Sequence, residues 1–190
     1  FRAIARTAVC WACIRLRGRT PMCKPILLIG MMGCGKSTIG RLLAGRMGLP
    51  LIDLDEEIAR TAGRSIPEIF AEEGDAGFRL HETAALGRAL DAGEAVIATG
   101  GGIVTREENI RMMREKGVVV WLCRPQEDMI ADVRQDTRPN LAGDKEERMR
   151  TLYAQRAHLY EAAAHLQFDN RMPPREAAKM LEKLLTERKK

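Results

Sequence analysis

No stretch of this chain holds enough consecutive apolar residues to cross a bilayer, so neither a spanning helix nor a membrane partner is expected. Its five cysteines are odd in number and do not make a disulfide scaffold in a domain of this size, which suits a reducing, cytoplasmic setting. Cys10 and Cys13 have the spacing of half a zinc site, but no second pair and no histidine cluster completes it. Cys123 reads as a small apolar residue buried at the end of a strand. There is no internal repeat and no low-complexity segment. Acidic residues are missing from residues 1–24, where Arg2, Arg6, Arg15, Arg17, Arg19 and Lys24 lie. Those six of the 31 basic residues account for the formal charge of +5: residues 25–190 hold 25 basic against 26 acidic side chains. A near-neutral body leaves no electrostatic footprint for nucleic acid.

What is present centres on Gly30-Met31-Met32-Gly33-Cys34-Gly35-Lys36-Ser37-Thr38. The aliphatic run Ile26-Leu27-Leu28-Ile29 leads in, and a helical pattern from Ile39 to Met47 leads out. This is the spacing of a phosphate-binding loop: two glycines with four residues between them, then lysine and a hydroxyl side chain. Glycines let the backbone curl until successive N–H groups face anionic oxygens, and the helix behind adds the positive end of its dipole. Lys36 supplies a charge for the terminal phosphates and Ser37 an oxygen for Mg2+. The competing reading, a glycine-rich turn with an exposed lysine, does not account for the full spacing and both flanks together. A nucleoside triphosphate with Mg2+ is the expected ligand.

The rest of the chain fits one domain, residues 22–190, with a basic extension over residues 1–21. The extension has three readings: translation upstream of Met22, an organelle-targeting peptide, or the tail of a preceding domain. The first is favoured, with a disordered or loosely helical segment; an organellar location follows only from the second. Leu51 to Asp55 reads as a short strand ending in two acids, followed by a helix from Glu56 to Thr61 that stops at Gly63. Ser65 and Glu68 box the next helix, Gly74 interrupts it, and a longer helix runs from about Ala76 to Leu90. Ala95–Ala98 reads as a strand emptying into Thr99 and Gly100–Gly102, and Thr105 to Glu108 as the cap of a further helix. Val118–Leu122 is a strand, followed by a helix from Pro125 to about Arg134. Residues 135–144 read as a mobile lid, Asp144 and Glu147 as the start of a helix ending near Ala164, Leu166–Asp169 as a last strand. Pro173 and Pro174 open the final helix. Strands alternating with helices imply a parallel α/β sheet covered on both faces, with ligands at the carboxyl ends of its strands.

Two sets of residues bear on the acceptor. Asp53 and Asp55, two apart on one strand, point the same way and can divide the work of holding Mg2+ through water and orienting a nucleophile. Otherwise they are solvated acids, with Asp55 capping a helix. Arg79 and Arg156, if both face the cleft, bind a small carboxylic acid through paired hydrogen bonds. If not, each pairs on a helix surface with Glu82 or another acid.

Taken in order, the loop, the Asp53/Asp55 strand, Phe78-Arg79-Leu-His-Glu82, Gly100-Gly101-Gly102, Arg138-Pro139 and Arg156-Ala-His-Leu-Tyr160 resemble the shikimate kinase family from about residue 23 onward. The resemblance implies a three-layer P-loop kinase fold with a five-stranded parallel sheet and a mobile lid. It implies transfer of the ATP γ-phosphate to the 3-hydroxyl of shikimate, in aromatic amino-acid biosynthesis; a monomer is expected because nothing in the sequence suggests a large exposed apolar face. It assigns Gly33, Cys34, Gly35, Lys36, Ser37, Thr38, Arg134 and Arg138 to the nucleotide, with Arg134 at the adenine and Arg138 reaching the transferring phosphate. Ser37 and, through water, Asp53 hold Mg2+. Asp55 orients the attacking hydroxyl; Arg79 and Arg156 bind the carboxylate; Glu82 holds Arg79; Gly101 and Gly102 admit the ring. The family's usual Arg-Pro-Leu-Leu reads Arg138-Pro139-Asn140-Leu141 in a slightly short lid, and the loop carries Met31, Met32 and Cys34 where smaller or more polar residues are common. Beside Lys36 and a helix N-terminus, Cys34 is expected to react with thiol reagents and to be shielded by MgATP. The alternatives are a kinase of the same build acting on gluconate or a nucleotide, and a regulator that binds both ligands without turnover.

Overall fold

Strand β1 (Ile26–Ile29) is buried on both faces, with Leu27, Leu28 and Ile29 wholly inaccessible, as a continuous aliphatic run at the centre of a parallel sheet must be. The structure, a computed structural model, describes residues 24–133 and 144–187. After β1 the chain forms α1 (Lys36–Met47), β2 (Leu51–Asp53), α2 (Leu54–Ala62), α3 (Ile66–Asp91) and β3 (Val96–Ala98). A 3-10 turn at Ile103–Thr105 leads to α4 (Glu107–Lys116), β4 (Val118–Cys123), α5 (Gln126–Asp132), α6 (Lys145–Ala163), β5 (Leu166–Asp169) and α7 (Pro174–Glu187). The five strands lie in the order β2-β3-β1-β4-β5 and every pairing is parallel. That is the expected five-stranded α/β fold. β1 sits between β3 and β4, so the turn leaving it opens in the middle of the sheet's carboxyl edge, where an open α/β sheet binds ligands.

Local signals fix the helix ends that matter. Ser65 and Glu68 form the reciprocal capping box of α3, and Gly74 (φ 69°, ψ −172°) kinks that helix before it continues. The kink lets Phe70 stack on Phe78 at 4.4 Å and turns Arg79 and Glu82 toward the sheet edge, where both are buried. Asp144 caps α6 through the N–H groups of Glu146 and Glu147. Along α1, helix α7 is fastened by Arg46–Glu182 at 2.6 Å.

Three expectations are corrected. Asp55 is not on β2: the strand ends at Asp53, whose carboxylate caps α2 by accepting the Asp55 N–H at 3.1 Å. The cap claims the backbone two residues early, so Asp55 occupies the first helical turn. Thr105 caps no helix; it closes the 3-10 turn, its hydroxyl bonding the Gly102 carbonyl at 2.7 Å, and α4 begins after Arg106 without a side-chain cap. Helix α5 ends at Asp132 rather than near Arg134, because Val133 turns to extended backbone (ψ 125°) while closing on Met129. Residues 1–21, Arg134, Arg138 and nearly all of the expected lid lie outside the described residues.

Candidate active site

Between β1 and α1 the chain must reverse over itself, and Gly30, Gly33 and Gly35 take positive φ to do so. Gly33 allows no substitute: at φ 80° an added Cβ would sit 2.6 Å from the Met129 carbonyl oxygen. Gly35 caps α1 without a side-chain hydrogen bond, leaving the first N–H groups of the helix for an anion. Lys36 folds back over the loop, its Nζ donating to the carbonyls of Gly30 (2.8 Å) and Met31 (2.9 Å). Ser37 Oγ donates to Asp53 Oδ2 at 2.6 Å while Asp53 Oδ1 caps α2, so one carboxylate ties the loop to the neighbouring strand.

A cavity of about 550 Å3 opens here, and Lys36, Ser37, Thr38, Asp53, Asp55 and Gly101 are among its walls. The phosphate loop and both aspartates thus share one space, although Asp55 reaches it from a helix. Hydroxyl and carboxylate oxygens suit a hard cation such as Mg2+. Among the described residues no three His, Cys, Asp or Glu side chains form a metal cluster, so a cation at Ser37 and Asp53 would take its other ligands from phosphate and water.

Arg79, Gly102 and Arg156 are not walls of that cavity; they gather around the adjoining glycine turn. Arg79 is held by Glu82 and by Asp75 (2.8 Å), and Arg156 Nη1 lies 3.5 Å from the Gly101 carbonyl oxygen. Both guanidiniums are buried, Arg79 at 7% exposure and Arg156 at 8%, which removes them from the class of solvated surface arginines. Arg79 does pair with Glu82, but inside the protein. Burial pushes the Glu82 carboxyl above its ordinary range; Arg79 opposes that shift, Asp55 adds to it and Arg156 opposes it. One buried carboxylate therefore feels all three groups expected to meet the acceptor.

The glycine turn owes its composition to these side chains. A Cβ at Gly102 would lie 2.1 Å from Arg79 Nη1, and one at Gly100 would lie 2.4 Å from Glu82 Oε1 and 3.1 Å from Asp55 Oδ1. The collision expected with a ligand ring is first a collision with the residues that would bind it. At Gly101 the nearest atom to a Cβ would be the Met32 backbone nitrogen at 3.3 Å, so the turn also packs on the phosphate loop.

Cys34 departs from expectation. Its side chain is fully buried, packed toward Gly30, and is not a wall of the cavity. The sulfur lies 3.7 Å from Lys36 Nζ inside the loop, the Cys34 carbonyl accepts Asn170 Nδ2 at 2.7 Å, and its N–H closes a turn on Met31. Cys123 is only half-buried, its thiol pushed up to about 12 by burial.

Arg124 and Asn170 went unread in the sequence. Arg124 donates to the Gly33 carbonyl at 3.0 Å and pairs with Asp132. Asn170 braces Cys34, and Arg124 and Asn170 both line the cavity. Each is the first residue beyond the carboxyl end of a strand, β4 for Arg124 and β5 for Asn170. The rule that located the cleft could have found them. Tyr160, quoted only as part of a motif, is wholly buried with its hydroxyl on the Gly101 carbonyl.

Among known proteins, the sequence model of the family described as shikimate kinase matches residues 32–186. The shikimate kinase of Symbiobacterium thermophilum is 42% identical over 165 residues, spanning 84% of this chain and 95% of that protein. The shikimate kinase of Chromohalobacter salexigens is 46% identical over 143 residues, spanning 74% and 79%. In structure, the Acinetobacter baumannii shikimate kinase in complex with shikimate superposes with a TM-score of 0.85 at 36% identity, covering 87% of this chain and 94% of that one. A gluconokinase from Sinorhizobium meliloti, at 17% identity and TM-score 0.57, shares the fold alone. With a family match over residues 32–186 and relatives above 40% identity covering most of its length, this chain belongs to the shikimate kinase family.

Proposed function

We propose that this protein transfers the γ-phosphate of ATP to the 3-hydroxyl of shikimate, yielding shikimate 3-phosphate. The observation that carries the reading is that Lys36, Ser37, Asp53, Asp55 and Gly101 wall the same cavity, with two buried arginines around the glycine turn beside it. Phosphoryl transfer asks little covalent chemistry of a protein; it asks for alignment and for charge where charge develops.

Each residue then has a task. Backbone N–H groups from Gly33 to Thr38 cradle the phosphates, and Lys36 exchanges the loop carbonyls it now touches for phosphate oxygens. Ser37 and Asp53, already bonded to each other, would hold Mg2+, Asp53 through water. When bound, the ion neutralises charge on the phosphates. Asp55, fixed in the first turn of α2, orients the attacking hydroxyl; in a loose transition state it need not be a strong base. Arg79 and Arg156 take the substrate carboxylate, with Glu82 keeping Arg79 in place. Gly101 and Gly102 leave the space between. Arg138 and Arg134, outside the described residues, complete the reading at the transferring phosphate and the adenine. It acts on small molecules, as a cytoplasmic monomer; the near-neutral charge of residues 25–190 supports leaving nucleic acid out.

Incubation of the purified chain with ATP and Mg2+, with shikimate, gluconate or a nucleoside monophosphate as acceptor, tests the reading. ADP should form with shikimate and not with the others; a preference for either of the others overturns it.

A further inference from the structure

Tyr160 stands four residues after Arg156 on α6, so the two side chains share a helix face. Its ring is fully buried and stacks on Trp121, centroids 5.9 Å apart at 28°. For packing alone a phenylalanine would serve, since a buried hydroxyl costs free energy unless it is bonded. The hydroxyl is bonded: it donates to the Gly101 carbonyl. It also lies 3.9 Å from Met31 Sδ, in the phosphate loop. Arg156 Nη1 approaches the same Gly101 oxygen at the longer distance of 3.5 Å. Burial pushes the phenol's pKa upward, and Arg156 opposes this through its charge and a side-chain hydrogen bond to the phenol, so the group stays protonated.

Two donors converge on one carbonyl oxygen, which can accept from both, and the phenol holds the closer contact. A backbone carbonyl beside a buried guanidinium attracts it, and an arginine drawn onto that carbonyl is withheld from a ligand. With the phenol seated on the oxygen, Arg156 is left at the margin of hydrogen-bonding distance. We propose that Tyr160 is a positioning residue for the acceptor, whose hydroxyl occupies the Gly101 carbonyl and so keeps the Arg156 guanidinium available to the substrate carboxylate. The proposal rests on the acceptor reading above and adds a residue that touches no ligand.

The test is steady-state kinetics of Tyr160→Phe, Arg156→Lys and the double variant, with thermal melting of each. Removing only the hydroxyl should raise the shikimate KM about five- to tenfold while kcat and the ATP KM stay within about twofold. A merely structural role would lower the melting temperature and disturb both substrates together. In the double variant the two effects on the shikimate KM should not add, because the phenol acts through Arg156. An unchanged shikimate KM in Tyr160→Phe, equal effects on both substrates, or full additivity overturns the proposal while leaving the acceptor reading in place. If Arg156→Lys itself leaves the shikimate KM unchanged, the carboxylate role of Arg156 fails and the proposal falls with it.

Discussion

In the proposed reading, the phosphate side of the cleft comes from nine consecutive residues, Gly30 to Thr38, and works chiefly through backbone N–H groups. The proposed acceptor side comes from α2, α3, the turn after β3 and α6, and would work through side chains: Asp55, Arg79 with Glu82, and Arg156. Backbone recognition needs unusual φ values at adjacent positions, so it concentrates its demands in one short stretch of glycines. Recognition of a small acid needs charges converging from several directions, which no single element can supply. Yet the halves are not separate bodies. Gly101 packs on the loop backbone, and Ser37 holds Asp53, the cap that places Asp55.

If the division is real, variants on each side should fail in different ways. Lys36→Ala should be the most severe, lowering kcat/KM about 10^3-fold by removing a preorganised charge. Arg156→Lys keeps the charge but loses the planar fork, and should raise the shikimate KM at least about tenfold with the ATP KM unchanged. Initial rates against each substrate separate these, and parallel rises in both KM values would break the distinction. Gly102→Ala should displace Arg79, whose Nη1 occupies the space at 2.1 Å, and raise the shikimate KM several-fold without touching nucleotide binding. Titrating each ligand separately measures that selectivity.

Smaller effects sharpen the picture further. Burial holds the Glu82 carboxyl above its ordinary value of 4.5, so the folded state takes up its proton more readily than the unfolded chain. That contribution to stability is intact below 4.5 and is lost as pH rises through the folded value. Glu82→Gln should therefore flatten the fall in melting temperature over that window; a slope identical to that of the parent protein would contradict it. Smallest of all, Cys34 should resist thiol reagents in the native protein whether or not MgATP is present, because its side chain has no exposed surface. Rapid native labelling at Cys34 would show that the loop opens.

The same contrast decides what could be read in advance. Period and punctuation brought out the five strands, the Gly74 kink, the Ser65–Glu68 capping box and the Asp144 cap, since these depend on neighbours in sequence. The loop was legible for the same reason. Asp55 was misplaced because β-alternation and helix capping compete at Asp53, and a cap settled by one backbone hydrogen bond leaves little trace in composition. Cys34 was misjudged because proximity to Lys36, whose Nζ its sulfur does approach at 3.7 Å, says nothing of whether solvent reaches the thiol. Arg79 and Arg156 were legible only in combination, through their resemblance to a family; singly, either fits a helix surface. Arg124, Asn170 and Tyr160 act on carbonyls distant in sequence, and such contacts follow from topology rather than pattern.

The most direct test follows the phosphorus. With ATP, Mg2+ and shikimate supplied, 31P and 1H NMR of the reaction should show the γ-phosphate as a monoester on the 3-hydroxyl, with ADP released in equal amount. Inorganic phosphate instead of the ester, an ester on another hydroxyl, or ADP release indifferent to shikimate would contradict a cleft that joins both sites.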